Sequence, residues 1–150
     1  MYQRVPGMSS FMPVSDAEAQ KYIAELNKTT AALCTQVHKM FLAAGCNSYV
    51  KTIYIGYDID GEMVAALYGH SDHVEVALAL AEDHPSSQLI DASHLTWKTL
   101  PVAAIGHNAA EVKKMAGLVV EACDRVRAGL HTVNRDNDFF MKAKRERHGQ

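Results

Sequence analysis

The sequence predicts an α+β fold: a long N-terminal helix and a C-terminal helix packed on one face of an antiparallel β-meander of about four strands. Apolar residues recur at helical spacing from Tyr22 to Ala44. Across residues 52–80, apolar and polar residues alternate around an Asp60-Gly61 turn. A second helical stripe follows Asn108. The two stripes and one sheet face can bury their apolar surfaces against each other.

The first helix is predicted to begin at Ser15, because Ser15 and Glu18 have the spacing of a capping box. Gly45 ends it, since a residue with positive φ commonly closes a helix. Thr29 and Thr30 mark a point at which this long helix could divide.

Asn108 and Glu111 repeat the N-terminal signal for the closing helix, and Gly129 ends that helix. The chain then divides into an irregular N-terminal arm over residues 1–14, a single α+β domain over 15–130 and a charged C-terminal tail over 131–150.

Composition places the chain among globular proteins: 150 residues, 48% hydrophobic, 21% charged and a net charge of -2. The charge balance disfavours nucleic acid as a partner. Three cysteines without metal-ligand spacing are typical of reduced thiols, and they predict a cytoplasmic protein. The first residues lack the apolar segment of a secretory signal. No apolar run approaches the roughly 20 residues of a membrane span, so no membrane association is expected.

The Asp60-Gly61 turn predicts a register in which Ile59 faces Glu62 and Tyr57 faces Val64. A three-residue loop, residues 70–72, then keeps the next strand on the same face, and residues 94–105 form the last strand. The face predicted to pack against the helices carries Ile53, Ile55, Tyr57, Val64, Ala66, Tyr68, Val74, Val76, Leu78 and Leu80.

The opposite face is predicted to be open, because antiparallel sheets often leave one face in water. Its small residues give a low floor, comprising Gly56, Ala65, Ala77 and Ala79. Such a floor with aromatic and acidic edges is a candidate ligand site. The candidate binding residues are Tyr54, Asp58, His73, Glu75, Trp97 and Lys98. The alternatives for this face are a subunit contact, a seat for the N-terminal arm, or a plain solvent-facing surface.

The segment "HSDH" places two histidines, a serine and an aspartate in residues 70–73. His70 falls at the loop tip and His73 begins the next strand. A zinc site needs at least three protein ligands, so a polar turn is the favoured interpretation and no cofactor is expected. The alternative is a metal site at His70 and His73.

The segment "HLTWKTLPV", the following amphipathic helix and the earlier "YIGY" resemble an uncharacterised bacterial family, domain of unknown function 5655. The chain is more distantly similar to YdhG and MmcQ/YjbR-like proteins, which share a frataxin-like (CyaY-like) α-β-α layout. The resemblance covers roughly residues 15–130 and implies an open antiparallel sheet backed by two helices. The family supplies no established catalytic residues to transfer.

These observations favour a non-enzymatic module that binds a small molecule or a protein partner through the open face and can form a homo-oligomer. One alternative is a metal-assisted enzyme that uses His70, His73 and Glu75, with His84 as a further candidate for the site. Another is a nucleic-acid module based on the basic tail. The tail residues concerned are Lys142, Lys144, Arg145 and Arg147.

Overall fold

The structure, a computed structural model, describes residues 11–51, 53–95 and 100–132, with side chains from residue 17 onward. The fold is α+β, as predicted, and its described elements occur in the order helix, sheet, helix. The helices are α1 (Phe11–Ala24), α2 (Lys28–Ala43), α3 (Ala109–Lys113) and α4 (Ala116–Arg127). The strands are β1 (Asn47–Lys51), β2 (Tyr54–Ile59), β3 (Glu62–Gly69), β4 (Val74–Leu78), β5 (Leu89–Asp91) and β6 (Val102–Gly106). None of the described helices has the length and apolar character that a bilayer crossing requires.

The strands form one antiparallel sheet in the order β1-β2-β3-β4-β6-β5. Six strands are present rather than about four. Sequence analysis missed β1, which begins two residues after the glycine that ends α2. Of the last strand predicted over residues 94–105, residues 96–99 lie outside the described residues, and the described part forms a strand only at β6, which Pro101 immediately precedes.

The β2–β3 hairpin confirms the Asp60-Gly61 turn. Asp60 and Gly61 have φ of 51° and 85°, and Ile59 pairs with Glu62. The predicted pairing of Tyr57 with Val64 is wrong, because a bulge shifts the register between Tyr57 and Asp58. Tyr57 therefore pairs with Ala65. From this point on, Ala65 and Leu67 of β3 face the helices, in place of the predicted Val64 and Ala66.

The β3–β4 turn also differs from the prediction by one residue. Gly69 pairs with Val74, and the His70 amide donates to the His73 carbonyl at 2.9 Å, so the loop contains only Ser71 and Asp72. The two one-residue errors cancel at β4. Val74, Val76 and the rest of β4 lie on the predicted face, whereas the interior of β3 is reversed.

The face packed by the helices, here the helical face, is defined by paired positions on neighbouring strands. On β2, the Tyr57 ring stacks on Phe41 of α2 with centroids 4.3 Å apart. On β6, a Cβ added to Gly106 would contact Val112 of α3 and Met115, the residue just before α4. Both helical layers therefore lie on one side, as predicted. The helical face carries Ile55, Tyr57, Ala65, Leu67, Val74, Val76, Leu78, Val102 and Ala104.

The N-terminal helix begins and divides at residues other than those expected. Ser15 is not its N-cap, because α1 already begins at Phe11 within the segment predicted to be irregular. The division falls just before α2, where Asn27 Oδ1 accepts the Thr30 amide at 2.9 Å and caps the second helix. Gly45 closes α2 with φ of 93°, as predicted.

The opposite side of the sheet, here the second face, is not open. Tyr54, Met63 and Ala77 are 0% exposed, and even the acidic Asp58 and Glu75 are only 2% and 4% exposed. The prediction of a low exposed floor is therefore wrong. Part of the covering is local, since the Tyr49 ring of β1 lies directly over Gly56.

We expect Gly56→Ala to destabilise the protein by about 1–3 kcal/mol, the usual cost of overpacking a core. A Cβ at this position would lie 2.3–2.7 Å from three atoms of the Tyr49 ring. Chemical denaturation measures the change. The matched control is Gly117→Ala in α4, where a Cβ meets nothing within 4 Å. The control is expected to gain about 0.5–1 kcal/mol from helix propensity. A Gly56→Ala protein as stable as wild type would contradict the packing described.

Candidate metal centre

Four histidines and a buried glutamate meet at the end of the second face that remains exposed. His70 and His73 flank the β3–β4 turn, and their rings stack with centroids 4.5 Å apart. The His107 ring, just after β6, lies 5.3 Å from that of His73. Glu75 is two residues after His73 on the same face, because alternate residues of a strand point to the same side.

Glu75 is the buried anion of this group, with a side chain only 5% exposed. Its two carboxylate oxygens accept separate imidazole N–H groups. His70 Nε2 lies 3.2 Å from Oε1, and His94 Nε2 lies 2.6 Å from Oε2. A buried carboxylate is costly unless its oxygens are hydrogen-bonded, so these two contacts offset part of the cost of burying Glu75.

Two further carboxylates orient the other two histidines. Asp72 Oδ1 lies 2.7 Å from His73 Nδ1, and Glu111 Oε1 lies 3.0 Å from His107 Nδ1. An ionised carboxylate only accepts hydrogen bonds, so each Nδ1 must carry the proton. When such a ring is neutral, its Nε2 atom carries the lone pair, as in carboxylate–histidine–metal arrangements.

These contacts also change the acidity of the two carboxylates. Hydrogen bonds from the His107 backbone N–H and ring lower the pKa of Glu111. The hydrogen bond from His73 lowers the pKa of Asp72 in the same way. Both groups are thereby held ionised, which is the state that orients the imidazoles.

The N-terminus of α2 holds the turn that carries His70 and His73. The buried Thr30 hydroxyl donates to the His70 carbonyl at 2.8 Å, and Asn27 Nδ2 donates to the Ser71 carbonyl at 2.6 Å. Neither Ser71 nor Asp72 has positive φ. The turn is thus fixed by contacts with α2 rather than by a glycine or asparagine of its own.

His70, His73 and Glu75 can supply one ligand atom each from positions that all lie within 4.8 Å of one another. Ligand atoms around a tetrahedral zinc ion are about 3.3–3.6 Å apart. The His70–Glu75 separation of 3.2 Å already fits this spacing. The exposed imidazoles need to move by about 1.5 Å at most to complete it. Two histidines and one carboxylate are the donor set of many catalytic zinc and non-haem iron sites.

The structure brings together only some of the predicted binding residues. His73, Glu75 and the alternative ligand His70 lie in one cluster. Tyr54 instead packs against the Tyr49 and Tyr68 rings inside the second face. Asp58 Oδ2 accepts the Gly61 amide at 2.9 Å and supports the β2–β3 turn. The remaining candidates lie outside the described residues: Trp97, Lys98, Lys142, Lys144, Arg145 and Arg147.

Sequence reasoning missed His94 and His107, which reach the cluster from distant parts of the chain. Glu75 and His94 are 19 residues apart, and no local pattern links them. The spacing of His107 and Glu111, one helical turn, was the only local signal. His84 does not join the cluster, since its Nε2 pairs with Glu121 of α4 at 2.9 Å.

Comparison of the chain with family models, with curated proteins and with solved structures finds no match. The similarity to the uncharacterised bacterial family therefore stays a prediction. The cluster is interpreted from its own geometry and chemistry.

We expect Asn27→Asp to lower the free energy of unfolding by about 1 kcal/mol, because the cap acceptor is kept while the donor to the Ser71 carbonyl is lost. Asn27→Ala loses both contacts and should cost about 2 kcal/mol. Asn108→Ala is the control. It removes a cap of the same kind from α3, where Asn108 Oδ1 accepts the Glu111 amide at 2.9 Å, and should cost about 1 kcal/mol. An unchanged urea midpoint for Asn27→Asp would show that α2 does not hold the turn.

We expect Glu111 to contribute stability at neutral pH that is lost in acid. Its folded pKa lies below the ordinary value of 4.5, so the contribution is complete above that value and disappears as pH falls through the folded pKa. The urea midpoints of wild type and Glu111→Gln should differ at pH 7 and converge in acid. Asp83→Asn, which removes an exposed loop carboxylate, controls for the loss of one negative charge. A wild-type–Glu111→Gln difference that persists at the lowest pH would contradict this assignment.

Proposed function

We propose that this protein binds a divalent transition-metal ion through His70, His73 and Glu75, the region that sequence analysis assigned, as an alternative, to a metal-assisted enzyme. The observation that carries the proposal is the convergence of these three ligand atoms within 4.8 Å at an exposed end of the sheet. His107 stands beside His73 as a candidate fourth ligand, its ring 5.3 Å away.

The charges of the cluster support a cation. Glu75, Asp72 and Glu111 place three carboxylates among the four histidines, and Glu75 is buried. The imidazole N–H groups satisfy the hydrogen-bonding capacity of Glu75. A divalent ion would add positive charge beside this carboxylate, and imidazole with carboxylate suits zinc and its first-row neighbours.

Access to the centre supports exchange with solvent. The side chains of His70 and His73 are 40% and 25% exposed, so an ion can reach them without opening the sheet. A cleft of about 310 Å³ adjoins His107 between α3 and the segment before β5, and Lys114 also lines it. Three protein ligands leave a coordination position for water or a small ligand, which is the requirement for metal-assisted chemistry.

The face that was expected to bind a partner is largely buried in this structure. Its floor is buried, and of its expected residues that the structure describes, His73 and Glu75 belong to the histidine cluster while Tyr54 and Asp58 do not. A small-molecule or protein partner remains a prediction. The metal centre is the part of that face to which such a partner has access.

We expect the purified, chelator-treated protein to bind one Zn²⁺ or Co²⁺ with micromolar or tighter affinity, a free energy near -8 kcal/mol. Calorimetric titration with Zn²⁺ measures the affinity, and Co²⁺ absorption reports nitrogen and oxygen ligation. His73→Ala and Glu75→Gln should each weaken binding by at least about 100-fold, because each removes a ligand. Asp72→Asn should weaken binding by about 10-fold, the usual effect of losing an orienting partner.

His84→Ala is the matched control, since it removes a histidine–carboxylate pair outside the cluster and should leave the affinity unchanged. Circular dichroism checks that each variant is folded. The proposal fails if wild type does not bind Zn²⁺ at micromolar concentrations. It fails equally if folded His73→Ala and Glu75→Gln bind as tightly as wild type.

A further inference from the structure

Two buried cysteines face each other across the junction of α2, β1 and α4. Cys46 lies directly before β1 and Cys123 lies on α4, and their Sγ atoms are 3.6 Å apart. Each residue is only 1% exposed, yet Gly45, the neighbour of Cys46, is exposed. The pair therefore lies just below the surface. Closing the gap to a disulfide of about 2.05 Å requires a movement of about 1.5 Å.

Arg127 lies beside this pair of thiols, and its charge acts to lower the pKa of both. It follows Cys123 by one helical turn, and its guanidinium donates to the Ala44 carbonyl beside Gly45. With Cys46 as donor, the thiol–thiol hydrogen bond lowers the pKa of Cys123, and the Arg127 charge acts in the same direction. The same hydrogen bond, together with burial, raises the pKa of Cys46. In this arrangement Cys123 accepts the hydrogen bond and is assigned as the attacking thiol of the pair.

Cys34 lacks these features although it is also buried. It lies on α2 against the end of β3, where its Sγ atom would contact a Cβ at Gly69. Burial raises the pKa of Cys34 to about 12, so it remains a protonated thiol. A small oxidant should therefore discriminate between the paired cysteines and this third one.

We propose that Cys46 and Cys123 form a reversible dithiol–disulfide couple whose oxidant is hydrogen peroxide. The Cys123 thiolate attacks one peroxide oxygen, the O–O bond breaks, and the departing hydroxide takes a proton to become water. The resulting sulfenic acid is attacked by the Cys46 sulfur, the S–S bond forms, and a second water leaves. The two thiols together lose two electrons and two protons, and the peroxide is reduced to two waters. The bond ties α4 to the α2–β1 junction.

The test is treatment of the full-length protein with hydrogen peroxide in the presence of EDTA, so that metal at the histidine centre takes no part. Thiols are counted after denaturation, and the cross-linked peptides are mapped by mass spectrometry. Free thiols should fall from three to one, with residues 46 and 123 in the same non-reduced peptide pair. The thermal midpoint should rise by about 5 °C or more, because the link closes a long loop, and dithiothreitol should reverse the rise.

Cys34→Ser is the matched control and should still lose two thiols on oxidation. Cys123→Ser should form no intramolecular link, and Cys46→Ser should hold a sulfenic acid at Cys123 that dimedone traps. Wild-type peptide mapping decides the question even if a variant does not fold. Three thiols surviving a peroxide dose that oxidises free dithiothreitol would overturn the proposal, as would a link that contains Cys34.

Discussion

The hydrogen bonds from the first turn of α2 to the β3–β4 turn are the constraint on which the sheet and its site depend. Thr30 and Asn27 hold the carbonyls of His70 and Ser71, and they thereby fix a two-residue loop without special backbone angles. The loop length sets the register of β4 against β3, and β4 in turn sets the register of β6. Because side chains alternate along a strand, a one-residue change in this loop would move Glu75 to the helical face.

The buried Glu75 carboxylate dominates the electrostatics of the metal centre, because burying a charged group at the end of the sheet is costly. His70 and His94 satisfy its oxygens, while Asp72 and Glu111 fix the tautomers of the neighbouring rings. The histidines therefore play two distinct parts. His70 and His94 hydrogen-bond to a buried anion, and His73 and His107 are each oriented through Nδ1 by a carboxylate. A metal ion would move His70 and His73 closer together, and His70 would exchange its contact with the carboxylate for a contact with the ion.

Local chemistry was sufficient to predict several parts of the fold. The Asp60-Gly61 turn, the Asn108 cap and the Gly45 stop each depend on residues next to one another in sequence. The β2–β3 bulge and the shorter β3–β4 loop depend on tertiary contacts, and Thr30 lies 40 residues from its partner His70. Their one-residue errors cancelled at β4, so His73 and Glu75 were placed on the correct face. His94 and His107 could not be assigned to the centre, because only the folded sheet brings them near Glu75 and His73.

The order of the sheet leaves two edges of unequal character. The edge strand β1 packs against α1 and ends at Lys51, a charged residue of the kind that discourages strand addition. The other edge, β5, is only three residues long. Within the part of the chain that the structure describes, neither edge offers a long row of unpaired backbone groups to another chain. Association between copies of this protein, where it occurs, would therefore rely on side-chain surfaces rather than on main-chain continuation of the sheet into a neighbouring molecule.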